Sequence, residues 1–318
     1  MKIYEILRVI APIIGLPVVI LATMVLTCCE SPKKEPWESA PLKDGEVEQV
    51  HLGDKAGISI DRIRFYSHEM QEPRFFLVLA PKADMPVDRV FILNHGWFDR
   101  PESMLDALKL DQVFTRLLAD GELKPALLVL PDVRFPDFFR RNSSLYPFPQ
   151  YPALVAEEVA GLVTQRYNIP FSRDKWGIGG FSFGGYLSLD VGRRYSGRFG
   201  SVSVISSFFD EDWTFWPDKP PDPGRLDSKG RGKQTTVAPG PAPRLFLACG
   251  ESDRFIGNMV RLHQTFQKLG IPHEWSTAPG GHTWAYWSSV LEKMLRFHLG
   301  QAQGVISENL ECGHEGIR

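Results

Sequence analysis

The sequence predicts an α/β fold, built on a mostly parallel central sheet with helices on both faces. Three observations predict it. Short apolar runs rich in Val, Ile and Phe recur along the chain, amphipathic stretches with helical periodicity separate most of the later runs, and one run ends in a glycine-flanked serine. Because strands that alternate with helices form βαβ units, most neighbouring strands are expected to be parallel.

The elements follow in order from residue 46. Three strands come first without a helix between them, and six more follow. The predicted strands are Val47–Leu52, Ile58–Tyr66, Arg74–Ala80, Val90–Asn94, Ala126–Leu130, Trp176–Phe181, Val202–Ile205, Arg244–Ala248 and Glu274–Thr277. The predicted helices are Ser103–Leu118, Tyr151–Tyr167, one that starts at Phe183–Ser188, Asn258–Leu269 and Thr283–Leu299.

Residues 1–29 are predicted to export the chain and to anchor it to a membrane. Val9–Thr27 runs for 19 residues without a charge, behind a short segment that carries Lys2 and Arg8. Cys29 fits the acceptor position of a lipoprotein signal, although Cys28 stands where a smaller residue is usual. An uncleaved membrane anchor and a simple cleaved signal are the alternatives. The predicted location is the bacterial cell envelope.

The rest of the chain is divided into a tether, one domain and a tail. Residues 30–45 are rich in Pro, Glu, Lys and Ser and have little to bury, which predicts a tether. Residues 46–300 form one α/β domain with an inserted loop at 206–243, after the seventh predicted strand. Residues 301–318 show no periodicity and are expected to be a peripheral tail.

Composition excludes several classes of protein. Hydrophobic residues make up 43% and charged residues 23%, which excludes a disordered chain. The formal net charge of −2 offers no basic surface, so no nucleic-acid partner is expected. Four cysteines are too few for a disulfide scaffold, and whether Cys249 pairs with Cys312 is left open. No metal-binding or phosphate-binding motif is present, so no metal is expected.

Residues 180–185, with the sequence GFSFGG, form the motif that carries chemistry. A Gly-x-Ser-x-Gly between an apolar strand and a helix makes a sharp turn that projects the serine hydroxyl at the carboxyl end of the strand. Ser182 is therefore the candidate nucleophile. The backbone N–H of Phe183, the next residue, is expected to face the reacting oxygen.

A nucleophilic serine needs a general base and an acid that orients it, and in this arrangement both follow the serine along the chain. His282 lies in a glycine turn between the last predicted strand and the last helix, from which it can reach the serine. The other histidines after the serine lie within helix patterns, at a strand start or in the tail. Asp253 follows a strand end and is the first candidate for the acid. The alternatives for the acid are Asp210, Asp212 and Glu251.

The oxyanion hole needs a second N–H donor besides Phe183. The strand Val90–Asn94 runs into His95 and Gly96, where the glycine lets the chain turn beneath the acyl site, so the N–H of Trp97 is the candidate. His95 precedes the nucleophile and is expected to shape this loop rather than to act as a base. The candidate substrate contacts are His95, Arg140, Arg141, Phe208, Trp213 and Trp284.

These segments resemble the esterase branch of the α/β-hydrolases, which includes esterase D, feruloyl and acetylxylan esterases, enterochelin esterases and bacterial mycolyltransferases. The resemblance covers about residues 55–300. It rests on NHGW at 94–97, RRNSSLYPFPQYPALVAEEVAGLVTQRYNI at 140–169, GGFSFGGY at 179–186, CGESD at 249–253 and PGGHTWAYW at 279–287. The stretch 206–243 departs from a minimal version of the fold, so the resemblance does not carry specificity.

The resemblance implies a serine hydrolase that acts on esters without a metal or organic cofactor. It assigns the triad to Ser182, Asp253 and His282, and the two N–H donors to Trp97 and Phe183.

We therefore expect an envelope-anchored carboxylic ester hydrolase whose partner is a small-molecule ester. Aromatic residues in the long loops suit an aromatic ester, a carbohydrate ester or an ester with a hydrophobic acyl group. Two alternatives are acyl transfer to a sugar or lipid, and a non-catalytic lipoprotein that binds a glycan or siderophore. A complete triad argues against the binding protein, which has no need of all three residues together.

Overall fold

The computed structural model of the chain describes residues 35–55, 57–82, 86–134, 150–209 and 241–300. Several sequence predictions lie outside these ranges. They concern the export segment with Cys29, the candidate contacts Arg140, Arg141 and Trp213, the alternative acids Asp210 and Asp212, most of the inserted loop, Cys312 and the tail. No helix in the described ranges is both long and apolar enough to cross a membrane.

A nine-stranded sheet forms the centre of the described molecule, in the order β1-β2-β3-β5-β4-β6-β7-β8-β9. The strands are β1 Val47–Lys55, β2 Ile58–Ser67, β3 Glu72–Pro81, β4 Arg89–Asn94, β5 Ala126–Pro131, β6 Trp176–Phe181, β7 Ser201–Ile205, β8 Arg244–Gly250 and β9 Glu274–Ala278. Across the sheet, the neighbouring pairs β1–β2, β2–β3 and β3–β5 are antiparallel. The remaining neighbouring pairs, β5–β4, β4–β6, β6–β7, β7–β8 and β8–β9, are parallel. The predicted α/β fold with a mostly parallel sheet is confirmed.

Helices cover both faces of the sheet. They are α1 Pro36–Ser39, α2 Pro101–Ala107, α3 Leu110–Ala119, α4 Gln150–Ala153, a π-helical segment Leu154–Val159, α5 Ala160–Tyr167, α6 Phe183–Arg194, α7 Ile256–Lys268 and α8 Trp284–Leu299. The π segment and α5 to α7 bury their apolar residues in one core cluster, and α2, α3 and α8 bury theirs in the other. The sheet is therefore buried on both faces, which explains why its central strands are apolar throughout.

One predicted helix forms in two pieces. The expected helix Ser103–Leu118 is interrupted at Lys109, whose left-handed φ of 47° separates α2 from α3. Leu105 before the break and Phe114 after it both remain buried against the same face of the sheet. The apolar periodicity therefore predicted the buried face, and it missed the break because the periodicity continues across it.

Residues 35–45 pack on the domain, so the expectation of a tether is wrong for this part of the segment. The Trp37 ring contacts Phe75 at 5.0 Å between centroids, and the Arg62 guanidinium lies 3.5 Å above it. The Glu38 carboxylate is buried and accepts hydrogen bonds from Arg100, at 2.6 Å, and from Arg134. The packing of Trp37 and the buried ion pairs of Glu38 thus attach this segment to the domain, although its composition is mostly polar.

His298 is a core residue, as its position within a helix pattern predicted. It is buried on α8, stacked on Phe91 at 4.0 Å between ring centroids. Its two ring nitrogens contact the hydroxyls of Ser201, at 2.7 Å, and Ser203, at 2.9 Å. Burial, together with the nearby charge of Arg244, holds the pKa of His298 well below its usual value.

We expect Glu38→Ala to lower the free energy of unfolding by about 3 kcal/mol, because it leaves the buried Arg134 with one anionic partner fewer. Glu35→Ala, three residues earlier on an exposed side chain, is the matched control and should change stability by less than about 0.5 kcal/mol. Urea titration of both variants measures the difference. Equal losses of free energy of unfolding in the two variants would show that the ion pairs of Glu38 do not stabilise the domain.

Stability should fall as the pH drops from about 7 to about 5, in part because of His298. Its pKa is lower in the folded protein than in the unfolded chain, so the unfolded chain takes up the extra proton once the pH falls to about 6.5 and below. His298→Gln should flatten this pH dependence by up to about 1.4 kcal/mol per pH unit. Urea titrations at a series of pH values measure how the free energy of unfolding depends on pH in the wild type and in the variant. Equal slopes for the two proteins would contradict the role given to His298.

Candidate active site

A cavity of about 440 Å³ opens at the carboxyl ends of the parallel strands. Loops that follow β4, β6, β7, β8 and β9 surround it. A cavity is expected here, because the next strands in the chain, β5 and β6, lie on opposite sides of β4, and ligands bind where a parallel sheet changes direction in this way. Its aromatic wall consists of Trp97, Phe98, Phe208, Phe209, Phe255 and Trp287. Its polar groups are Asp99, Ser182, Arg254, Asn258 and His282.

Ser182 lies at the sharp turn between β6 and α6. Its φ of 54° and ψ of −121° fall outside the ordinary regions for a residue with a side chain, and this strain projects the hydroxyl into the cavity. A Cβ on Gly184 would lie 2.2 Å from the carbonyl oxygen of Asn94, and a Cβ on Gly180 would lie 2.4 Å from the backbone of Gly184. Glycine is therefore required at both flanking positions because three backbone segments cross here.

Two hydrogen bonds connect the serine to an acid through His282. The Ser182 Oγ lies 3.0 Å from His282 Nε2, and His282 Nδ1 lies 3.0 and 3.1 Å from the two carboxylate oxygens of Asp253. Because an ionised carboxylate only accepts, Nδ1 carries the proton, and the neutral ring then accepts the serine O–H at Nε2. The structure thus brings together the three residues that the sequence singled out.

The loops that carry Asp253 and His282 are joined backbone to backbone. The N–H of Ser252 donates to the carbonyl of Gly280 at 2.9 Å, and a Cβ on Gly250 would lie 2.3 Å from that same carbonyl. The close approach fixes the ends of β8 and β9 against each other. Glu251, the alternative acid within the described residues, is exposed and does not line the cavity.

Asp253 is held in its charged form. Burial alone would raise the pKa of its carboxyl, but the hydrogen bonds from His282 and from the backbone N–H of Phe255, the latter at 2.8 Å, lower the pKa below its usual value. A carboxylate that stays ionised can fix the imidazole tautomer and stabilise the imidazolium.

His95 is a structural residue of the turn after β4, and its expected contact with the substrate is wrong. Its side chain is fully buried and does not line the cavity. The backbone N–H of Val133 donates to Nε2 at 3.0 Å, so the proton is on Nδ1, which donates to the carbonyl of Gly96 at 2.7 Å. The N–H of Asp99 donates to the same carbonyl at 3.3 Å.

The fixed carbonyl of Gly96 also orients the next amide. In a planar trans peptide the C=O and the following N–H point in opposite directions. The carbonyl of Gly96 points towards the buried His95, so the N–H of Trp97 points away from it, and Trp97 lines the cavity. This geometry supports the predicted donor role of Trp97. Phe183, the other predicted donor, is the first residue of α6.

The cavity wall includes residues that the sequence analysis missed. Phe208 lines the cavity as predicted, whereas Trp284 does not, and Trp287 one turn further along α8 takes its place. Trp287 and Phe255 each contact the His282 ring edge to face, with centroids 5.0 Å apart. The helical spacing of the two tryptophans placed both on one face of α8, but it could not show which of them reaches the cavity.

Within the described ranges, no group of three or more His, Cys, Asp or Glu side chains is arranged to hold a metal ion. Cys249 lies buried in β8 and forms no disulfide with any residue in the described ranges. Burial, reinforced by the charge of Asp253, raises its pKa to about 12, so the thiol stays protonated and unreactive.

Comparisons with known proteins identify the family. A family model described as "Putative esterase" matches residues 67–298. The acetyl esterase of Caldicellulosiruptor saccharolyticus is 24% identical over 164 residues, which cover 43% of this chain and 59% of that protein. The endo-1,4-beta-xylanase/feruloyl esterase of Xylanibacter ruminicola is 22% identical over 271 residues, or 81% of this chain and 34% of that protein. The match thus spans less than two thirds of either relative.

Solved structures show the same fold. A ferulic acid esterase superposes with a TM-score of 0.60 at 20% identity, covering 80% of this chain and 98% of the other. The ferulic acid esterase AmCE1/Fae1A of Anaeromyces mucronatus, in complex with ferulic acid, gives 0.57 at 20% identity, covering 83% and 96%. The S-formylglutathione hydrolase FrmB of Staphylococcus aureus gives 0.55 at 15% identity, covering 81% and 98%.

We expect Gly184→Ala to prevent folding or to lower the free energy of unfolding by several kcal/mol, because its Cβ overlaps the backbone of β4. Gly161→Ala is the matched control, since that glycine also lies in a helix but has open space around it. The control should stabilise the protein by about 0.5–1 kcal/mol. Thermal unfolding distinguishes the two variants. A Gly184→Ala protein as stable as the control would contradict the close approach of residue 184 to the backbone of Asn94.

Proposed function

The chain belongs to the Putative esterase family, and from this we propose that it is a serine carboxylic ester hydrolase that works through an acyl-enzyme. The observation that carries the proposal is the pair of contacts from Ser182 Oγ to His282 Nε2, at 3.0 Å, and from His282 Nδ1 to Asp253. Ser182 and His282 both line the cavity, where a substrate carbonyl can reach the serine. A protein that only binds its ligand has no need of this arrangement.

In the first half of the reaction the Ser182 oxygen attacks the ester carbonyl while its proton passes to His282 Nε2. The carbonyl oxygen becomes an oxyanion, which accepts hydrogen bonds from the N–H groups of Trp97 and Phe183. Asp253 stabilises the imidazolium. The tetrahedral intermediate then collapses, the bond to the alcohol oxygen breaks, and the alcohol leaves with the proton from His282.

In the second half a water molecule attacks the acyl-enzyme and gives its proton to His282. The new oxyanion collapses, the Ser182 oxygen takes the proton back, and the carboxylic acid leaves. Phe255 and Trp287 enclose the imidazole edge to face, so the ring keeps its orientation through both halves.

The aromatic wall supports an ester with an aromatic or other flat apolar part. Trp97 and Phe208 lie nearly parallel, with centroids 6.1 Å apart, and both line the cavity. Aromatic side chains bind planar groups by offset stacking or edge contacts. The similar structures include esterases named for ferulic acid, one of them in complex with it. Aromatic esters of this type, including esters to carbohydrate, are therefore the first substrates to examine.

A fluorophosphonate probe should label Ser182, and mass spectrometry locates the label. Ser182→Ala should lose the label and lower kcat on a feruloyl or 4-nitrophenyl ester by about 10⁴-fold or more, and Asp253→Asn should lower kcat by about 10⁴-fold. The matched controls are Ser252→Ala and Glu251→Gln, which change an exposed hydroxyl and an exposed carboxylate in the same loop. Folded protein that is neither labelled nor active would overturn the proposal.

A further inference from the structure

Asp99 is a carboxylate in the cavity wall that the proposed mechanism does not use. It lies half-buried in the turn after β4. Two other buried carboxylates near the site have hydrogen-bonded partners, since Asp253 pairs with His282 and Glu38 with Arg100. The Asp99 side chain forms no hydrogen bond or ion pair with the described residues. Burial raises the pKa of this carboxyl, although the nearby His95 and His282 oppose the rise.

The two nearest ionisable groups cannot serve as its partner. His95 uses one ring nitrogen for Gly96 and the other for Val133. His282 uses its nitrogens for Ser182 and Asp253. Neither of these described histidines can therefore pair with Asp99, and the cavity that the carboxyl lines can supply a partner as water or as a group of the substrate.

The Asp99 carboxyl also lies next to the reacting centre. Its Oδ2 is 2.8 Å from the point where a Cβ on Gly96 would stand, and the Ser182 Cβ is 3.5 Å from the same point. The carboxyl oxygen and the Ser182 side chain are thus both close neighbours of Gly96. A substrate attached to the serine can therefore bring the atoms next to its ester bond close to Asp99.

The backbone around Asp99 is anchored on both sides. Its own N–H donates to the carbonyl of Gly96, and the next residue, Arg100, forms ion pairs with Glu38 and Glu102. The cation that follows Asp99 in sequence is therefore occupied, and the loop holds the carboxyl in the cavity wall.

We propose that Asp99 accepts a hydrogen bond from a hydroxyl or ammonium group that the substrate carries next to its ester bond, and that it selects esters with such a donor. This inference rests on the proposed ester hydrolysis at Ser182. An ester without a donor leaves the carboxylate desolvated and unpaired beside the developing oxyanion, which penalises its reaction. A donor removes that penalty and is held in a fixed orientation.

Matched esters test the proposal and locate the donor. On the acyl side the probes are the 4-nitrophenyl esters of propanoic acid, lactic acid and alanine, which differ only at the carbon next to the carbonyl. On the alcohol side they are propyl acetate and 2-hydroxyethyl acetate. The wild-type protein should prefer the donor-bearing ester in at least one set by roughly 10- to 100-fold in kcat/KM, as expected for one hydrogen bond to a charged group.

Asp99→Leu should reduce that preference to less than about threefold, mainly by lowering kcat/KM for the donor-bearing ester. Asp99→Asn, which keeps an oxygen acceptor and removes the charge, should retain part of the preference for a hydroxyl and lose the preference for an ammonium. Asp106→Asn removes an exposed carboxylate from the following helix and should leave every ratio unchanged.

Fluorophosphonate labelling of Ser182 separates the possible failures. If wild-type protein is neither labelled nor active on any ester, the proposed hydrolase is wrong. If the wild type and Asp99→Leu are both labelled and hydrolyse plain and donor-bearing esters in the same ratio, water rather than substrate satisfies Asp99, and this inference alone is overturned.

Discussion

The crossing of β6, α6 and the end of β4 is the constraint on which the rest of the site depends. A Cβ at position 184 would lie 2.2 Å from the carbonyl oxygen of Asn94, so α6 can start here only if residue 184 has no side chain. The same crossing forces Ser182 out of the ordinary backbone regions and brings the turn that carries Trp97 beside it. Strain of this kind persists only where its surroundings hold it. From the side of β7, the hydroxyl of Ser207 donates to the carbonyl of Ser182 at 2.8 Å and holds the turn in place.

The base and the acid depend on a second close approach, between the ends of β8 and β9. Gly250 and Gly280 lie so near each other that a side chain on the first would overlap the carbonyl of the second. This contact sets the distance between Asp253 and His282 before either side chain is considered. The nucleophile and its base are thus positioned by two glycine-dependent contacts in one sheet, the first between the ends of β4 and β6 and the second between the ends of β8 and β9. The parallel register from β6 to β9 brings both contacts to the same edge.

Sequence patterns predicted the strands and the triad because both depend on local rules. Apolar runs define buried strands, and Ser182, Asp253 and His282 each follow a strand end at a turn. The patterns failed where the outcome depends on packing between distant segments. The local sequence of residues 95–99, HGWFD, does not indicate that His95 is buried while Asp99 lines the cavity. The break at Lys109 is equally invisible, because the residues on both sides still suit one buried face.

The segment 35–45 shows the same limit and changes where the domain begins. Its composition is that of a linker, yet Glu38 joins Arg100, in the loop that carries Asp99, to Arg134, which follows β5. The neighbouring residue Val133 donates to His95, the residue that orients the Gly96 carbonyl. The turn behind the proposed oxyanion hole is therefore held from two strands, and a residue from outside the predicted domain connects its two supports. A catalytic unit counted from residue 46 would lack that connection, so the domain includes α1.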